Sequence, residues 1–83
     1  MPFVAMVEGI KIAFYNDEHP PMHFHAKFAE HEAMIGIETL ELLKGHLPRP
    51  QLRKLVAWAR PRQALLRKAW DACQADGNPG KIP

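Results

Sequence analysis

Three of the five histidines, His19, His23 and His25, fall within the seven-residue run HPPMHFH. Imidazole binds zinc and related ions readily, and it is the side chain best suited to moving protons near neutral pH. The run therefore has two chemical readings. One is a site for zinc or another divalent transition metal built on His19, His23 and His25. The other is a small histidine-dependent nuclease site, in which the same imidazoles act with Lys27 and Tyr15 on a phosphodiester. A third reading has no chemistry in it: imidazoles on a sheet face pair with carboxylates or stack on an aromatic ring such as Tyr15. Whether the chain is an enzyme stays open at this level.

Cooperation between His23 and His25 requires that both project from one side. In MHFHAKF, Met22, Phe24, Ala26 and Phe28 alternate with His23, His25 and Lys27, which predicts a strand with an apolar face and an imidazole face. Side chains at i and i+2 of a strand leave the same face with their backbones roughly 6 to 7 Å apart. His19 precedes Pro20, which favours an extended backbone there, so it can fold over the strand end as a third ligand. Asp17 and Glu18 offer an oxygen ligand or a partner that orients an imidazole. No glycine-rich phosphate loop, Ser-His-Asp order or Cys-His pair is present.

The same period-2 pattern recurs on both sides. GIKIAFY and EAMIGIE alternate, and a short fourth strand is expected around Leu40 to Leu43. Loops of two to six residues favour antiparallel neighbours. The period then changes. Leu52, Leu55, Val56 and Ala59 follow helical spacing from a start near Pro48 to Pro50. Pro61 is expected to break the helix, and a second one runs from about Pro61 to Ala75, stopped by GNPG. The expected fold is α+β: a three- to four-stranded antiparallel sheet followed by two helices, broken near Pro61 and packed on one face. It forms a single domain over residues 1–83, with a sheet half (1–44) and a helical half (45–83). Ile12, Phe14, Phe24, Ile35, Leu55, Leu66 and Trp70 are expected to share one core. Cys73 and the tryptophans read as core rather than chemistry.

With 47% hydrophobic and 24% charged residues, the composition is that of a soluble globular protein. No apolar run approaches the roughly 20 residues that span a bilayer. The start MPFVAMVEG does not look like a secretory signal, and the one cysteine has no partner in the chain, so a cytoplasmic location is expected. Charge is unevenly spread. Residues 1–44 carry three lysines against seven acids, and residues 45–83 carry eight basic residues against two. Arg49, Arg53, Lys54, Arg60, Arg62, Arg67 and Lys68 form a run without an acid among them. Such a run attracts phosphate backbones or an acidic protein, unless it is balanced in space by the acidic half.

YNDEHPPMHFHAKF, EAMIGIE, LLKGHLPR, Trp58, Trp70 and the tail GNPGKI together resemble the small bacterial proteins of the domain-of-unknown-function family numbered 4160. The likeness extends over nearly the whole chain. One departure from the family pattern is that the Pro-Pro pair directly follows His19, with Met22 after it. The resemblance implies a fold more firmly than a function. It also implies an association with small genes of toxin–antitoxin type, and so an accessory role.

From all this, the leading expectation is an accessory binding module acting on nucleic acid or an acidic protein partner through the seven basic residues. The open sheet face of Tyr15, His23, His25 and Met34 is a candidate homodimer surface. The histidine-cluster metal site, or the small nuclease, is the alternative.

Overall fold

The computed structural model describes residues 3–16 and 18–83. Five strands come first: β1 (Phe3–Val7), β2 (Ile10–Ala13), β3 (His23–Phe28), β4 (His31–Gly36) and β5 (Leu42–Gly45). They form one antiparallel sheet in chain order. Helical structure follows as α1 (Arg49–Ala59), a 3₁₀ turn (Arg60–Arg62) and α2 (Gln63–Gln74). Among the described residues, no helix is long and apolar enough to cross a membrane.

The α+β class and the antiparallel order agree with the sequence reading, but the count of three to four strands is corrected to five. The additional strand is β1. It pairs with β2 through a tight turn at Glu8 and Gly9, both at positive φ (47° and 84°). Two consecutive positive φ values mark the hairpin turns that match strand twist. The β1 pairing also shifts register between Phe3 and Ala5, which disrupts the alternation that would advertise a strand.

A second correction concerns Pro61. The two helices expected to be separated there form one joined helical run from Arg49 to Gln74. Proline lacks an N–H and its ring crowds the preceding turn, so the α-helical ladder cannot pass through it. A tighter 3₁₀ turn carries the path across instead. The Arg62 guanidinium stacks over Trp58, 5.0 Å from the ring centre, and its Nη1 donates to the Trp58 carbonyl at 2.7 Å. It thus supplies a donor to a carbonyl in the interrupted stretch.

One sheet face meets the helices. Ile10, Ile12, Phe24, Ala26, Ala33 and Ile35 join Leu55, Ala59, Leu66 and Trp70 in a single buried cluster. All seven expected core residues are buried, none more than 6% exposed. The tail returns to the β1 edge, where the Ile82 N–H donates to the Val4 carbonyl at 2.8 Å and the Lys81 amine to the Phe3 carbonyl at 2.6 Å.

Candidate functional site

Strand register sets out the other face in rows. Lys27 lies opposite Lys11 on β2 and Glu32 on β4. In the next row, His25 stands between Ala13 and Met34, and Met34 is followed by Lys44 on β5. His23 comes next, opposite Gly36. His23 and His25 therefore share a face, as their i, i+2 spacing requires, with ring centres 5.2 Å apart.

That face is not bare. Tyr15, Asn16 and residues 18–22 fold back over its end, so the open surface anticipated for a homodimer is partly roofed, and His23 is only 3% exposed. Two side chains at the end of α2 hold the roof. Gln74 accepts from the Glu18 N–H at 2.9 Å through Oε1 and donates from Nε2 to the Tyr15 carbonyl at 3.1 Å. The Cys73 thiol donates to Asn16 Oδ1 at 3.0 Å. Burial pushes that thiol's pKa up, which keeps it a donor. Trp70 lies against the His23 ring, with centres 5.0 Å apart.

The roof delivers a carboxylate. Glu18 Oε1 lies 2.5 Å from His25 Nε2 and 3.3 Å from His23 Nε2. One donor atom from each of Glu18, His23 and His25 falls within 4.8 Å of the other two. Burial raises the Glu18 carboxyl pKa, but the hydrogen bond from His25 and the nearness of both imidazoles outweigh it and hold the pKa below its ordinary value.

His23 is fixed further. Its Nδ1 lies 2.9 Å from the Pro21 carbonyl, and a carbonyl oxygen only accepts, so Nδ1 carries the proton. Nε2 in the neutral ring is then a lone pair. This buried atom has no hydrogen-bond partner among the described residues; the 3.3 Å approach to Glu18 is ion-pair proximity without hydrogen-bond alignment. A buried lone pair facing a carboxylate needs a positive charge between them, either a proton or a metal ion. His25 repeats the pattern less closely: its Nδ1 is also buried without a hydrogen bond, and Glu32 Oε2 lies 3.9 Å away. The Tyr15 ring packs edge-on against His25, with centres 4.2 Å apart.

The expected ligands are thus partly regrouped. His23 and His25 come together. His19 is exposed and lies outside the grouping, with Glu18 in the third place. Asp17, the other oxygen donor named from sequence, lies outside the described residues. The sequence offers Glu18 and Asp17 equally as an oxygen ligand or an orienter of an imidazole, because the placement of Glu18 depends on Gln74, 56 residues away.

The basic run divides. Lys54 pairs with Glu8 at 3.3 Å and Arg67 with Glu38 at 2.9 Å, while Arg62 is committed to Trp58 and to the Pro83 carbonyl. Arg49, Arg53, Arg60 and Lys68 are exposed and carry no ion pair among the described residues. Helical spacing puts Arg49 and Arg53 on one side of α1, and Arg60 opens the 3₁₀ turn that follows it.

Residues 9–71 of the 83-residue chain match the family described as "Domain of unknown function (DUF4160)". No curated protein and no solved structure matches the chain.

Proposed function

The chain belongs to the DUF4160 family, and from that premise we propose that Glu18, His23 and His25 bind a divalent transition metal ion, zinc first among them. Since the family carries no activity in its description, the reading has to come from the site. The buried, unpartnered Nε2 of His23 carries it: this lone pair is fixed by the Pro21 carbonyl and aimed at Glu18. Metal-bound histidines characteristically donate their other ring N–H to a carbonyl or carboxylate, and His23 already does so. Two imidazoles and one carboxylate suit zinc, and three protein donors leave a coordination position for an outside ligand.

An accessory binding role through Arg49, Arg53, Arg60 and Lys68, toward nucleic acid or an acidic protein, stands second. It is favoured by the shared side of Arg49 and Arg53 on α1. Against it, Lys54, Arg62 and Arg67 are engaged within the molecule.

Titration of the chelator-stripped protein with Zn²⁺, followed by calorimetry and by imidazole resonances, tests the metal reading. One equivalent should move the His23 and His25 signals together and leave His31 and His46 in place. His23→Ala and His25→Ala should each weaken binding at least about tenfold, and His19→Ala should not. Affinity should fall sharply at about pH 5, where protons compete for the imidazole nitrogens. Zn²⁺ binding that is undiminished in His23→Ala would exclude this site.

A further inference from the structure

The donors are reached through two neighbouring clefts on the solvent side of the sheet. One, of about 390 Å³, runs from Glu18 and His23 past Met34 to Lys44. The other, of about 270 Å³, runs from His25 and Glu32 past Met34 to the same lysine. Met34 is the floor they share, and Lys44 stands at the rim of both. Register explains the placement, since Lys44, Met34 and His25 occupy one row across β5, β4 and β3.

Lys44 is exposed and has no ion pair among the described residues. Among the described residues, the other charges on this face are Glu18 in the donor set, Glu32 beside His25, and the opposed pair Lys11 and Lys27. A divalent ion held by Glu18 keeps one net positive charge after that carboxylate is counted. Glu32 lies 3.9 Å from His25 Nδ1 and opposite Lys27 in register, and Lys44 is the amine that lines both clefts, so the ion and that amine place positive charge on two sides of an apolar floor. Such an arrangement accepts an oxyanion that can face both at once. The shallow clefts fit a small tetrahedral group or the end of a larger molecule, not an enclosed substrate.

We propose that the Glu18–His23–His25 site takes a phosphate group as its outside ligand, with Lys44 as the residue that selects for it. This rests on the metal reading above. A Lys44 ammonium supplies charge-assisted hydrogen bonds to phosphate oxygens as a point charge, without the fixed fork of an arginine. The phosphate is either free inorganic phosphate or a phosphomonoester terminus, and the two are separated by experiment.

The test uses full-length protein loaded with Co²⁺, whose paramagnetism broadens the ³¹P resonance of any phosphate close to it. Inorganic phosphate and phenyl phosphate are titrated separately, and acetate is added as a competitor. Saturable broadening of at least one phosphate is expected, with acetate a poor competitor. Lys44→Met should weaken phosphate binding about tenfold, as for a lost charge-assisted contact, while Co²⁺ affinity stays within about twofold. Lys81→Met, in the C-terminal tail and outside both clefts, serves as the control and should change neither. Co²⁺ binding without phosphate broadening, or broadening unaffected by Lys44→Met, overturns the proposal and leaves the metal site standing. Acetate competing as well as phosphate overturns the assignment to phosphate. If Co²⁺ itself does not bind, the metal reading fails and this proposal fails with it.

Discussion

Glu18 is the residue whose ionisation the fold uses most directly. Burial works against its charge, yet the hydrogen bond from His25 and the nearness of both imidazoles hold its carboxyl pKa below the ordinary 4.5. A carboxyl with a depressed folded-state pKa binds fewer protons in the native chain than in the unfolded one. Its contribution to stability is therefore present in full above pH 4.5 and is lost as the pH falls through the lower folded value. Denaturation midpoints of the metal-free wild type and Glu18→Gln should differ above that value and converge in stronger acid; curves that run parallel throughout would mean that the imidazoles do not engage the carboxylate. The histidines themselves were legible, because i, i+2 spacing in a strand decides which side chains share a face. The third donor was not singled out. His19 and Glu18 are adjacent, and which of them turns inward depends on a hydrogen bond from the Glu18 N–H to Gln74 on a distant helix. Local pattern contains no trace of that contact.

At the scale of elements, Gly45 ends β5 where the chain has no room for a side chain. Its φ is +82°, and a Cβ there would lie 2.1 Å from the Glu32 carbonyl oxygen. Gly9 has a similar φ of +84°, but its nearest neighbour would be the Phe28 ring at 3.5 Å. Alanine at position 9 thus meets backbone strain alone, on the order of 1 kcal/mol. At position 45 it meets that strain and a collision with backbone that cannot swing aside. Gly45→Ala should therefore lower the urea midpoint clearly more than Gly9→Ala does; equal losses would refute the close approach of β5 to β4. Why β1 escaped the sequence reading is also an element-scale matter. FVAMV is apolar nearly throughout, its register shifts at Phe3 to Ala5, and its turn uses Glu-Gly in place of the usual Asn-Gly or Asp-Gly signal. β2, β3 and β4 alternate and are legible, while the short strand expected around Leu40 to Leu43 lies at Leu42–Gly45. Pro61 marked a real irregularity, but proline chemistry fits either a break or a 3₁₀ turn, and packing of both flanking helices on one core keeps the path joined.

Across the whole molecule, the acidic and basic halves of the sequence interleave. Lys54 reaches Glu8 and Arg67 reaches Glu38, so part of the charge asymmetry along the chain is cancelled in space. These pairs are exposed and each contributes little to stability. The contacts from Cys73 and Gln74 to the roof over the histidines, and from Trp70 to His23 beneath it, have a larger consequence. They make loop closure and seating of α2 one event, and events joined in this way are thermodynamically reciprocal. A ligand that draws Glu18 toward His23 and His25 must also tighten the hold on the end of α2. By the same accounting, loosening that helix must weaken the ligand. Zn²⁺ should therefore slow amide exchange at Ala72 to Gln74, remote in sequence from every proposed ligand, and Gln74→Ala should remove most of that protection while lowering Zn²⁺ affinity. Unchanged exchange at the end of α2 on saturation would mean that the two are uncoupled. With the coupling in place, the helix end reports occupancy of a site to which it contributes no donor atom.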